Sequence, residues 1–203
     1  MLNEKFVLIA FFTGLIGIAS YLHAMWRGEV VPNRVSWFLW SAVPMIAFTA
    51  EWRQGVGLPA FTTLLAGFMP FIVFVASFFI GKKTVWQLGK FDIACGTCAV
   101  LAIVLWQLSG NANIGLAFSV IADAFASAPT VRKAWKRPET ESAVPFALSN
   151  IRHVLRILTV SSYSFASLAF VLYDAFLNNL LVILILRKSR KSPQPPASSL
   201  QHL

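Results

Sequence analysis

Asp123, Arg156 and Asp174 are ionisable side chains set inside long apolar stretches of the chain. An ionisable group at the centre of a membrane-spanning helix costs about 2.5–3.5 kcal/mol on insertion scales, so each one is a functional candidate. Two chemistries fit this set. In one, the groups line a polar, water-accessible cavity and bind a solute or carry a proton. In the other, Arg156 and Asp174 form a structural ion pair and a neighbouring hydroxyl caps Asp123. The residue types alone leave both open.

Polar neighbours recur at helical spacing around these three. Ser119, Asp123 and Ser127 follow i, i+4, i+8 and make one polar stripe. Ser149, Arg152 and Arg156 make a second, with Asn150 and His153 beside it. Asn178 and Asn179 follow Asp174 by one turn. His153 reads either as a hydrogen-bonded helix histidine or as a proton relay, and the serines double as packing glue between helices. Arg152 lies close enough to a helix end to snorkel toward the surface. Trp40 offers a ring for stacking on a flat ligand, whereas Trp37 reads as an interfacial anchor. The candidate binding set is Asp123, Asn150, Arg156, Asp174, Asn178 and Trp40. Pro44, Pro70 and Pro129 interrupt backbone hydrogen bonding. Pro44 and Pro129 are candidate hinges and Pro70 a static kink.

Other chemistry is weakly signalled. Cys95 and Cys98 form a CxxC, but two cysteines fill neither a zinc site nor a disulfide framework, and small-residue packing explains them. No phosphate-cradling loop, catalytic triad or H-E-x-x-H stands in the chain. The expectation is a protein without catalytic residues, metal or cofactor.

The elements that must position these groups follow from composition. Of 203 residues, 57% are apolar and 12% charged. Soluble domains run at about 45–50% and about 25%. So few charges could not cover a soluble surface, and disorder needs the opposite bias. A spanning helix takes roughly 20 mostly apolar residues, and the sequence predicts seven, at about 6–25, 35–51, 58–80, 91–108, 114–131, 144–160 and 164–186. The sixth carries two arginines, and a six-span arrangement with this segment lying in the interface stays open. At 1.5 Å per residue, Asp123, Arg156 and Asp174 all fall about 13–18 Å deep in a core about 30 Å thick.

The net charge of +9 sorts by loop. Arg27, Arg34, Lys82, Lys83, Lys90, Arg132, Lys133, Lys136, Arg137, Arg187, Lys188, Arg190 and Lys191 all fall on one side of a seven-span chain, against Lys5 and Arg53 on the other. Basic loops mark the cytoplasmic face. The N-terminus is therefore expected outside and the C-terminus in the cytoplasm, in the inner (plasma) membrane. The same sorting explains the charge without a nucleic-acid partner. The tail after Lys191 is rich in Pro and Ser and reads as disordered.

The chain also repeats itself. At an offset of 109, His23-Ala24-Met25-Trp26-Arg27 meets Arg132-Lys133-Ala134-Trp135-Lys136, Trp37 meets Phe146, Phe61 meets Phe170 and Lys82 meets Lys191. Each half reads as helix, Trp-basic loop, shorter helix, turn, long helix, basic end. Three spans, one connecting span and three more make the two halves parallel.

Ala128-Pro129-Thr130-Val131-Arg132-Lys133-Ala134-Trp135, with the polar turn Pro138-Glu139-Thr140-Glu141-Ser142, is similar to the Pro-Gln motif of the PQ-loop superfamily. Together with the 3+1+3 layout, the chain resembles that superfamily and its SWEET sugar transporters. The resemblance covers about residues 6–190, most of its local similarity lying in 119–146. Thr130 stands where the motif has Gln, and Ser20-Tyr21 where the first half would carry Pro-Gln. Sugar specificity is not carried over.

The resemblance implies an all-α integral membrane fold of seven transmembrane helices: a three-helix bundle over 1–83, a linker helix over 84–112, a second bundle over 113–191 and the tail over 192–203. In each bundle the third helix would lie between the first and second. It also implies alternating access of a small polar solute to a midplane site between the bundles. The superfamily contains cargo-sorting receptors too, so a non-transporting receptor or scaffold is the alternative reading. An intramembrane enzyme comes third, for want of a nucleophile or metal set. The partners expected are a solute and the lipid bilayer; homo-oligomerisation stays open.

Overall fold

The computed structural model describes residues 4–53, 55, 60–80, 88–110, 112–159 and 165–187; the side chains of some residues within these ranges, Arg156 among them, lie outside the description. The described residues are all-helical: α1 (Glu4–Trp26), α2 (Arg34–Arg53), α3 (Ala60–Phe79), α4 (Lys90–Leu108), α5 (Ala112–Lys136), α6 (Val144–Thr159) and α7 (Phe165–Leu186), with one 3-10 turn at Pro138–Thr140. Each predicted segment is a helix. The largest difference is α5, which runs on from the expected end near residue 131 to Lys136. Arg132, Lys133, Ala134 and Lys136 are good helix formers, and nothing in the backbone requires a helix to stop where hydropathy does. The tail and the turn at 160–164 lie outside the described residues, as do Lys82, Lys83 and Lys191.

Asn33 starts α2: its Oδ1 accepts from the backbone N–H groups of Val35 and Ser36 at 3.1 and 3.2 Å. These are orphan donors of the first turn. The same side chain donates through Nδ2 to Asp92 Oδ1 at 3.0 Å, which ties α2 to the start of α4. Asp92 in turn accepts from Gly89 N–H at 2.9 Å. Pro44, Pro70 and Pro129 each sit inside a helix that continues through them.

Packing has a regular pattern. The backbones of α1 and α3, and of α2 and α3, approach within 8 Å, whereas those of α1 and α2 do not. In the same way α7 packs on α5 and on α6, whose own backbones do not come within 8 Å of each other among the described residues. The triplet α1–α3 touches the triplet α5–α7 through α1 with α6 and through α2 with α5, and α4 lies on α5 and α2. Glycines allow the closest approaches. A Cβ on Gly67 of α3 would stand 2.8 Å from the Ser41 carbonyl of α2, and one on Gly17 of α1 would stand 3.3 Å from Pro145 Cα of α6. α6 is therefore packed into the bundle.

Arg34 bonds Ser77, Asn33 bonds Asp92, Lys133 bonds Val31, and Arg187 bonds Trp135. These contacts gather the ends of α1, α3, α5 and α7 and the starts of α2, α4 and α6 at one end of the bundle, so the chain runs alternately up and down. We call this the basic end. Three apolar clusters fill the interior: Tyr21, Met25, Val30, Trp37 and Val73; Leu39, Ala99, Ala102, Ile103, Ala122 and Ala126; and Ala134, Phe146, Leu177, Leu181, Leu184 and Ile185. Trp40 packs against all three.

The outside is as apolar as the inside. Val100, Leu101, Val104 and Leu105 of α4 and Leu172, Phe176 and Ile183 of α7 are exposed. Among the described residues, Lys90–Leu108 and Leu168–Leu186 are long and apolar enough to cross a membrane, and Phe11–Trp26 and Thr63–Phe79 are shorter apolar stretches.

Candidate functional site

α7 carries two polar side chains in succession, about nine residues from its start, near mid-length. Successive helical positions are rotated by about 100°, so the pair faces two neighbours. Tyr173 turns to α5 and donates to Asp123 Oδ2 at 3.0 Å. Asp174 turns to α6, with its Oδ2 3.1 Å from His153 Nε2.

A hydrogen-bonded chain grows from each. On the α5 side, Ser127 Oγ donates to Asp123 Oδ2 at 3.2 Å, and the indole Nε1 of Trp40 donates to Ser127 Oγ at 3.2 Å. The chain Trp40–Ser127–Asp123–Tyr173 thus runs from α2 through α5 to α7 and links the two triplets. On the α6 side, Asn178 Nδ2 donates to Asp174 Oδ1 at 3.0 Å and to its carbonyl at 2.8 Å. Beside it, Asn179 Nδ2 lies 3.4 Å from Asn150 Oδ1 and donates to Ala175 O at 2.8 Å. The two carboxylates have different company. Asp174 has the imidazole of His153 at 3.1 Å, whereas Asp123 is bonded by two hydroxyls with the Trp40 indole beside them.

The candidates therefore separate into two linked groups. Trp40 and Asp123 belong to the first, and Asn178 and Asp174 to the second, with Asn150 at its edge. The side chain of Arg156 lies outside the described residues, and the side chain found against Asp174 from α6 is His153. Asp123 is capped by hydroxyls, as one of the two readings of the sequence required. Pro129 is buried on α5 about half a turn past Ser127, toward the basic end, and Pro44 lies one turn past Trp40 on α2.

Two tryptophan and arginine expectations need correction. Trp37 is 4% exposed, tilted against Tyr21 at 4.8 Å and edge-on to Trp40 at 5.3 Å. It belongs to the core and not to the interface, because α3 and α1 close over that face of α2. Arg152 lies against α1, one guanidinium nitrogen 3.8 Å from where a Cβ would stand on Gly14, and donates to Ser149 Oγ at 2.7 Å. The missing side chain of Gly14 leaves the room it occupies.

Tyr173 was not among the sequence candidates. In an apolar run a tyrosine reads as packing, and the signal that would have found it is its place directly before an Asp in the same apolar run. Tyr21, Lys133 and Glu141 were likewise missed, since a basic loop explains Lys133 and a polar turn explains Glu141. Cys95 is a buried free thiol and Cys98 a half-buried one. Among the described residues no group of three His, Cys, Asp or Glu side chains could hold a metal. Compared with protein-family models, curated proteins and solved structures, the chain finds no match.

Proposed function

We propose that the protein spans a membrane seven times and carries a small polar solute across it by alternating access. The basic end would face the cytoplasm, with the N-terminus outside. The observation that carries this reading is the chain Trp40–Ser127–Asp123–Tyr173, beside the pair His153–Asp174, at mid-length of α5 and α7. Two carboxylates there are costly to desolvate, and a solute site repays that cost more directly than packing does. In such a site, fixed donors and acceptors at mid-depth replace the hydration shell of a polar ligand.

Further support comes from the shape of the packing. Contacts α1 with α6 and α2 with α5 exchange under the 109-residue offset, which suits two equivalent triplets rocking about a shared interface. Apolar exteriors on α4 and α7 suit lipid contact. Trp26 and Trp135, equivalent under the same offset, are both exposed at the basic end, where a bilayer interface favours indole rings.

The test is a thermal-shift panel of sugars, polyols, amino acids and other small polar solutes on the purified protein, followed by flux into proteoliposomes for each hit. Asp123→Asn should lower the flux of that solute while the protein stays folded. A panel in which no solute shifts the melting temperature or crosses the vesicle would overturn transport and leave the receptor or scaffold reading.

A further inference from the structure

A buried ion pair within the second triplet is tied to the first triplet at the basic end, and the mid-depth site makes no use of it. Lys133 Nζ of α5 lies 2.6 Å from Glu141 Oε1, with side chains 11% and 0% exposed. Tyr21 of α1, fully buried, donates a 2.8 Å hydrogen bond to the other carboxylate oxygen, Oε2. The ammonium also donates to the carbonyls of Val31 and Thr140, the latter at 3.3 Å. Val31 N–H in turn donates to Thr140 O at 3.0 Å. Tyr21 and Val31 belong to the first triplet and its loop. Lys133, Thr140 and Glu141 belong to the second.

Behind this clasp lie the side chains of Ser36 and Trp37 on α2 and Thr130 on α5; Ser36 Oγ and Thr130 Oγ1 have no hydrogen-bond partner, and the Trp37 indole has the Tyr21 hydroxyl beside it. All three side chains are nine-tenths buried or more. The Trp40–Ser127 bond fixes the register of the antiparallel pair α2 and α5. About one turn from it toward the basic end, the two helices reach Ser36 and Trp37 on one side and Thr130 on the other. The orphaned groups thus lie between the mid-depth site and the clasp. Buried groups of this kind are normally satisfied by protein or by water.

We propose that the Lys133–Glu141–Tyr21 cluster is the gate at the basic end, closed in this structure, and that its opening wets a polar seam of Ser36, Trp37 and Thr130 leading to Ser127 and Asp123. The inference rests on the transport reading above. The physical chemistry suits a seal that must reopen. In a buried ion pair the mutual attraction is largely offset by lost hydration, and opening returns water to both charges. It also supplies partners to the orphaned hydroxyls of Ser36 and Thr130. An apolar seal of the same size would lose its whole buried area to water on opening, with nothing in return.

Water accessibility tests the gate without any solute. In lipid nanodiscs, with Cys95→Ala and Cys98→Ala, a Thr130→Cys reporter is treated with a membrane-impermeant maleimide. Labelling should be slow in this background and faster by about tenfold with Glu141→Gln or Tyr21→Phe, because the rate follows the open population. Unchanged labelling in a folded variant makes the cluster a static bolt and overturns the inference. A disulfide between Val31→Cys and Thr140→Cys, which leaves the cluster intact, should block flux until reduced. Full flux through the cross-linked protein overturns the gate as well. Faster labelling in a protein that moves no solute would instead uphold the opening and overturn the transport reading.

Discussion

Tyr173 and Asp123 are joined by a 3.0 Å hydrogen bond that crosses from α7 to α5 near mid-length of both helices. The residue after Tyr173, Asp174, is turned the other way and meets His153 of α6. One helix thereby positions both halves of the polar network, and α7 can do so because it lies between α5 and α6.

Tyr173→Phe keeps the ring and removes a donor to Asp123. Leaving a buried polar group without one of its partners costs about 1–3 kcal/mol, so the unfolding free energy in detergent should fall by about that amount and the midpoint with it. Ser127→Ala should cost more, because it removes the second donor to Asp123 and the acceptor of Trp40 together. A smaller loss for Ser127→Ala would show that Trp40 does not depend on it.

His153 and Asp174 should be coupled. A double-mutant cycle with His153→Ala and Asp174→Asn is expected to give an interaction of about 0.5–3 kcal/mol, as for contacting residues in one network. Asp174→Asn should also reduce solute flux in vesicles. Unchanged flux with unchanged folding would remove Asp174 from the site.

Gly67→Ala has an inverted sign. Within a helix, alanine is ordinarily more favourable than glycine by about 1 kcal/mol. Here the new Cβ would stand 2.8 Å from the Ser41 carbonyl and 3.0 Å from Met45 Cγ, so α2 and α3 must separate. Overpacking of this kind costs about 1–3 kcal/mol. Thermal unfolding of the variant decides it, and a stabilised protein would refute the close approach.

Asn33 has two roles that different substitutions separate. Asn33→Ala loses the α2 cap, for about 0.5–2 kcal/mol. Asn33→Asp keeps an equally good cap but replaces the donor to Asp92 with a second carboxylate. It should therefore be destabilising at neutral pH although the cap is kept. Wild-type stability for Asn33→Asp would mean that the tie between α2 and α4 contributes nothing.

Much of the helix plan was legible because apolar length is a local property. The expected 91–108 and 164–186 fall within a residue of α4 and α7. The candidate site was legible in kind, since an Asp in an apolar run announces itself by cost. Its pairing was not. Asp174 had Asp123 and Arg156 within reasonable reach, and the group that it meets, His153, was not named as its partner, because that depends on how α5, α6 and α7 are rotated about their axes. Lys133 shows the same limit from the other side. Counted among the basic loop residues, it has an ordinary topological meaning, yet its ammonium is held in a buried pair with Glu141.

The sequence by itself determined that the chain is helical, that its charge collects at alternate loops, and that a few polar groups must lie deep in apolar helices. Composition, periodicity and spacing along one chain are enough for those. Only the tertiary structure decided that Tyr173 serves Asp123, that His153 serves Asp174, that Trp37 is core, and that Tyr21 meets Glu141 across 120 residues. Each of these depends on the rotation and depth of one helix against another. Those are set by side chains as small as Gly14, Gly17 and Gly67, whose effect exists only when a neighbouring helix is there to approach.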